Sequence, residues 1–221
     1  MKRNFLLFCG LAAPLLYTAT VIFGAAIRPG YSHIQYAISE LAAAGAPNKS
    51  LIDTLFSIYN LLVMAFAVGM FSLAAHHRDY SVKGSGLWGA ALVGLVGLSG
   101  FAMFFFPQDP TGTALTFGST LHMVFAGVAS LGSIAAVLVT GFWFKSNPGM
   151  RPYWIYSLVS SLVILVSGGL TAAGISNGVA YFGLLERVTI GTLELWFVIV
   201  SNKLLRQEQS AAAFIPRPQA V

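Results

Sequence analysis

Long unbroken apolar runs dominate the chain, at about 5–27, 51–75, 86–106, 117–143, 153–174 and 182–202. A bilayer core of about 30 Å takes about 20 apolar residues as a helix. Membrane strands would instead alternate over segments of about 10 residues. The pattern therefore predicts an all-α integral membrane bundle of six transmembrane helices, since a helix pairs its own backbone groups in lipid. These spans make one membrane domain, 1–206. The polar, proline-containing stretch 207–221 is predicted as a flexible cytoplasmic tail. Met1-Lys2-Arg3 has the look of a signal-peptide start, but the run behind it exceeds the 7–15 residues of a signal core. It is predicted to stay as the first span.

Composition sharpens the picture. The chain is 57% hydrophobic and 9% charged, against about 25% charged in soluble domains. A water-soluble globule and a disordered chain are both excluded. The net charge of +5 is spread thinly and forms no basic stripe, so no nucleic-acid partner is expected. The single cysteine, Cys9, allows no intramolecular disulfide and no cysteine-held metal cluster. Nine of the 12 Lys and Arg residues fall on one side of the spans: Lys2, Arg3, Arg78, Lys83, Lys145, Arg151, Lys203, Arg206 and Arg217. Arg28, Lys49 and Arg187 fall on the other. The positive-inside rule puts both termini in the cytoplasm, in a cell (plasma) membrane. Trp88, Trp143, Tyr153 and Trp154 at the inner boundary, and Phe104 to Phe106 and Tyr181 at the outer one, fit aromatic anchors.

No linker divides the spans, and no internal repeat supports an inverted-repeat transporter. Gly86, Ala90, Gly94, Gly97 and Gly100 on the third span, Gly127 on the fourth and Ser167-Gly168-Gly169 on the fifth permit close helix approach. Packing within the bundle is the first reading of these faces, and a homo-oligomer is the second.

The segment from Arg28 to Ser50 is the longest outside the spans. Ser32 with Gln35 fits a capping box, and Gly45 before Pro47 fits a helix stop. Between them Ile34, Ala37, Ile38 and Leu41 recur at i, i+3, i+4 and i+7. A short interfacial helix over 33–44 is predicted, with His33, Tyr36 and Glu40 on another face. Ser50 and Asp53 repeat the capping pattern, which makes Asp53 a helix-start carboxylate. Asp53, Ser57 and Asn60 form a stripe expected to face the bundle interior.

Asp109-Pro110-Thr111-Gly112 matches a type I turn. His122, one turn inside span four, should face the protein. Glu186 and Arg187 open span six. Glu186 suits a helix start, whereas Arg187 is at the wrong end of the dipole and needs an anion: Glu40, Asp53, Asp109 or a lipid phosphate. Glu194 lies about 12 Å deeper. There it is either a functional group or a neutral carboxyl bonded to Asn60, Ser or Thr.

Arg28-Pro29-Gly30-Tyr31-Ser32-His33, Ile38-Ser39-Glu40-Leu41, Gly45-Ala46-Pro47, Phe106-Pro107-Gln108-Asp109, Leu121-His122 and Glu186-Arg187 together resemble the prokaryotic domain-of-unknown-function 998 membrane proteins. The resemblance covers nearly the whole chain except its C-terminal tail. Ile38 to Leu41, Gly45 to Pro47 and Phe56 are also distantly similar to the Frag1/DRAM/Sfk1 group. These resemblances imply six spans and a connection with lipid, and they imply no particular reaction.

Two functions stand open, one enzymatic and one not. The first is a membrane protein that binds or moves a lipid or amphiphile in an outward-facing polar pocket. Arg28, Asp109, Arg187 and Glu194 are its candidate binding residues, with the arginines on phosphate. The alternative is an intramembrane lipid-modifying hydrolase or transferase, with His33, Glu40, His122 and Glu186 as candidate catalytic residues. Ser39 would be a nucleophile in that reading, although no Gly-x-Ser-x-Gly elbow surrounds it. A zinc ion on His33 and His122 would be its metal-dependent form, although HExxH spacing is absent. Otherwise no metal and no cofactor is expected. His76 and His77 are expected to be solvated rather than ligating. A third reading, a proton-coupled transporter, rests on Glu194. All the outer polar residues are expected in one pocket roofed by the 33–44 helix, with Arg187 on a carboxylate and His122 nearby.

Overall fold

A computed structural model of the chain describes residues 2–76, 84–110 and 112–213. His77, Arg78, Lys83, Thr111, Arg217 and residues 214–221 lie outside the described residues, as does the side chain of His76. The six apolar runs form six helices: α1 (Lys2–Ala26), α2 (Lys49–His76), α3 (Ser85–Ala102), α4 (Phe117–Ser146), α5 (Arg151–Ser176) and α6 (Phe182–Ala213). Each is long and apolar enough to cross a membrane. Among the described residues there is no strand.

Every helix packs on its neighbour in sequence, and α6 returns to α1, so the bundle closes into a ring. Small residues make the closest approaches. Gly97 and Gly100 of α3 lie against Met64 and Asn60 of α2, and Gly86 lies against Ala74 and Trp143. The glycine faces of α3 are thus occupied within the chain. Trp143 is consequently a core residue at 3% exposure rather than an interface anchor, while Trp88 stays exposed.

The main core joins Leu7, Phe66, Met70, Phe144, Trp196, Phe197 and Leu204. The indole N–H of Trp196 donates to Ser157 at 3.0 Å, which satisfies the one polar atom that this ring buries. At one end of the bundle Arg3 is ion-paired with Glu208, tying α1 to α6. The helical turn that carries Glu208 continues α6 to Ala213, past Gln207, where the sequence predicts a flexible tail. The opposite, distal end gathers the α1–α2, α3–α4 and α5–α6 connections. There Ile38 and Leu41 of the first connection join Val21 and Ile52 in a second core cluster.

The first connection departs from the predicted 33–44 helix. Turns lead to a single 3-10 helix, Ile38–Ala42. The cause is competition for backbone groups. The Leu184 N–H takes the Ile34 carbonyl at 3.1 Å, an acceptor that the Ile38 N–H would use in an α-helix. The Ile38 N–H donates instead to Glu186, at 2.8 Å. Ser32 still accepts weakly from the Ile34 and Gln35 N–H groups, as its capping pattern suggests. Gly45 still supplies the turn, with φ of +79°.

A two-part polar site at the distal end

Arg28, at the end of α1, and Arg187, on the first turns of α6, flank Tyr31. Their guanidinium carbons stand 5.6 and 5.7 Å from the centre of its ring. The surroundings of the two arginines differ. Arg28 is bonded to the Glu40 carbonyl and forms an ion pair with the Glu40 carboxylate at 3.3 Å. Glu40 is buried, with 3% exposure, so its charge is compensated where water cannot reach it. Arg187 instead reaches neutral acceptors. It donates to the Tyr31 hydroxyl at 2.6 Å, the Gly183 carbonyl at 2.8 Å, the Tyr36 carbonyl at 3.0 Å and His33 Nδ1 at 3.2 Å. The expectation that a carboxylate would hold Arg187 gives way to this set, because loop carbonyls occupy the position.

This arrangement fixes protonation at the exposed edge. His33 accepts at Nδ1, so it is the neutral tautomer with hydrogen on Nε2. Desolvation, and then the nearby Arg187 charge, hold its imidazole below the ordinary value. Burial pushes the Tyr31 phenol up, with the Arg187 charge opposing that shift. Tyr31 in turn donates to the Ala37 carbonyl at 2.8 Å. Glu186 does not serve its own helix start. Its carboxylate caps the Ile38 N–H at the start of the 3-10 helix.

His122, Asp109 and Asp53 lie in a second group beside α2, α3 and α4. His122 is buried, as expected for its depth, and its Nδ1 is 2.9 Å from the Phe106 carbonyl. Asp109 accepts the Thr116 N–H at 2.7 Å, and Thr116 caps α4 by accepting from Ser119. That is a structural use of Asp109. The predicted turn Asp109-Pro110-Thr111-Gly112 includes Thr111, which lies outside the described residues; beside it the Thr113 N–H donates to the Pro110 carbonyl at 3.1 Å. Asp53 is ion-paired with Lys49 one turn earlier rather than capping α2. Asn60 donates to the Phe56 carbonyl, and the buried hydroxyl of Ser57 has no hydrogen-bond partner.

The hydrogen bonds and ion pairs of these residues fall into two sets. Arg28, His33, Glu40, Glu186 and Arg187 form one, and Asp53, Asp109 and His122 form the other. The first connection bridges them: Ser39 donates to Gln108 Oε1 at 2.5 Å, and the Ala44 N–H donates to the Gln108 carbonyl at 2.8 Å. Ser39 is thus bonded to an amide oxygen, which is no general base. His33 and His122, the candidate zinc ligands, take Arg187 and a carbonyl respectively. Among the described residues no three His, Cys, Asp or Glu side chains gather as a metal-holding group.

Glu194 belongs to neither group. It lies deeper, at 6% exposure, and accepts from the Tyr59 hydroxyl at 2.5 Å rather than from Asn60. Asn60 faces α3 while Tyr59 faces α1 and α6, because neighbouring helix positions point about 100° apart.

Sequence reasoning misses Tyr31, Tyr59 and Gly183. A Cβ on Gly183 would stand 2.9 Å from the Ile34 carbonyl oxygen, so only glycine lets the connection lie on α6. A tyrosine among apolar residues gives no periodic signal of its own.

No curated protein and no solved structure matches the chain. A family described as "Protein of unknown function (DUF998)" matches residues 11–202, which includes both polar groups, the whole of α2 to α5 and the parts of α1 and α6 nearest the distal end. The chain belongs to this DUF998 family, and it is a multi-pass membrane protein whose distal polar site is built from the family-matched region.

Proposed function

We propose that the protein binds an anionic membrane lipid by its head group at Arg187. The observation that carries this is the set of neutral acceptors around that guanidinium. Arg28 and Lys49, the other distal cations, are ion-paired with Glu40 and Asp53. Arg187 is half-buried at the helix end, where a lipid phosphate would lie. The His33 Nε2–H adds a neutral donor next to it. Below it on α6 the apolar side chains of Val188 and Leu195 are exposed, at 44% and 53%, and offer a track for an acyl chain. The distal end is the extracytoplasmic one in this reading, by the nine-to-three distribution of Lys and Arg.

Native mass spectrometry of the protein in maltoside, with equal phosphatidylglycerol and phosphatidylcholine, tests the binding. Preferential retention of phosphatidylglycerol is expected, and equal retention of both lipids contradicts the proposal. Orientation is tested separately. A cysteine replacing Lys49 in a Cys9→Ser background should react with an impermeant reagent from outside intact cells. Reaction only after lysis contradicts the assigned orientation.

A further inference from the structure

We propose that Glu194, Tyr59 and Tyr17 form an intramembrane proton-binding site that exchanges with solvent at the distal end through Tyr17. This goes beyond lipid binding and does not depend on it. Glu194 and Glu186 stand eight residues apart on α6, yet they are used differently. Glu186 is spent on a backbone N–H. Glu194 is in the bundle interior, about 12 Å further along the helix. Its Oε1 accepts from Tyr59, and its Oε2 is buried with no hydrogen-bond partner. A native protein rarely leaves a buried carboxyl oxygen without a partner, and such an oxygen calls for an explanation.

Among the described residues the surrounding elements supply no counter-ion at that depth. The Lys, Arg, His, Asp and Glu residues of α1, α2, α4 and α5 cluster towards the helix ends: Lys2 and Arg3; Lys49, Asp53 and His76; His122 and Lys145; Arg151. Helix α3 has none. Along α6 itself the cations nearest Glu194 are Arg187, seven residues before it and held by neutral acceptors at the distal end, and Lys203, nine residues on. The phenols of Tyr17 and Tyr59 are the ionisable groups that meet this depth. Their rings are 4.7 Å apart, and both phenols interact electrostatically with Glu194. A charged carboxylate there would face the cost of desolvation without a cation. A proton on Oε2 removes that charge, while the Tyr59 O–H stays on Oε1. No other atom or electron moves.

Tyr17 gives the site its connection. It packs against Phe56 with ring centres 5.4 Å apart, and against the distal core cluster that contains Ile38 and Leu41. Its phenol interacts electrostatically with Glu186, Arg187 and Tyr31 on the distal side and with Glu194 on the deep side. It therefore stands between the distal polar groups and the deep carboxyl, with a hydroxyl able both to accept and to donate a proton.

Infrared spectroscopy of the full chain in maltoside, which has no carbonyl of its own, tests this. A protonated carboxylic C=O band is expected above the amide region. Glu194→Gln should remove it, and Tyr59→Phe should raise its frequency by removing the donor to Oε1. In deuterated buffer the wild-type band should shift down, and Tyr17→Phe should slow that shift severalfold. No band sensitive to Glu194→Gln means a permanently ionised group and overturns the proposal. A band that ignores deuterated buffer means a sealed structural acid and overturns it equally. Exchange as fast in Tyr17→Phe as in wild type overturns the route through Tyr17. Should Glu194→Gln fail to fold, a band that stays in place in Tyr59→Phe decides against the site.

Discussion

Arg28 and Arg187 stack on the same tyrosine ring and are employed in opposite ways. Arg28 has a buried carboxylate as partner and fastens the 3-10 helix to α1. Arg187 has carbonyls, a phenol and an imidazole as its hydrogen-bond partners at the protein edge. The difference shows how a membrane protein divides polar residues at its boundary. A compensated charge holds backbone in place. A charge solvated by neutral dipoles stays attractive to an external anion.

The largest expected effect comes from breaking the compensated side. Glu40→Ala leaves the Arg28 guanidinium beside a buried void, and loss of one member of a buried pair costs about 3 kcal/mol or more. Thermal unfolding in detergent should show a clear loss, larger than that of Arg187→Gln. Equal losses would erase the distinction between the two arginines.

Glu186→Ala comes next. It strips the Ile38 N–H of its acceptor, at a cost of about 1–3 kcal/mol for a buried donor left unpaired. Glu186→Gln keeps an acceptor oxygen and should recover most of that loss. Hydrogen exchange at Ile38 should accelerate in the alanine variant and stay slow in the glutamine variant. Fast exchange in both would mean that the charge, not the bond, holds the loop.

The smallest effect is a pH dependence from His33. Its folded-state value lies below the unfolded value of about 6.5, so the unfolded chain binds the proton more readily. Stability from this group is fully present above about pH 6.5, and falls as the pH drops through that value towards the lower folded one. Protonation of Nδ1 also ends its acceptance from Arg187. A small decline in unfolding temperature over this window is expected in wild type, flattened in His33→Gln. A decline that persists in His33→Gln would assign the dependence elsewhere.

Much of the fold is legible in the sequence because membrane burial acts on long runs. Six continuous apolar stretches leave helices as the solution for pairing the backbone in lipid. The depth of His122 and Glu194 follows from counting along those helices. The distal site is less legible. The apolar spacing of Ile34, Ala37, Ile38 and Leu41 predicts a helix, and three of the four are indeed buried. Ile34 is not, because its carbonyl is drawn to the Leu184 N–H across the bundle. Such a competition depends on α6 lying against the loop at Gly183, a contact 149 residues distant from Ile34 in sequence. The partners of Arg187 are illegible in the sequence for the same reason. A guanidinium can be satisfied by several carbonyls at once, and carbonyls leave no mark on the identity of the residues that bear them.

In the proposed reading Arg187, and not Arg28, presents charge to a lipid head group. Native mass spectrometry of wild type, Arg187→Gln and Arg28→Gln with equal phosphatidylglycerol and phosphatidylcholine separates the two arginines. A charge-assisted bond of about 1.4 kcal/mol corresponds to a tenfold change in equilibrium. Arg187→Gln should therefore lose about tenfold in preference for phosphatidylglycerol, while the folded Arg28→Gln protein keeps the wild-type preference. An unchanged preference in Arg187→Gln, or an equal loss in Arg28→Gln, would contradict the account.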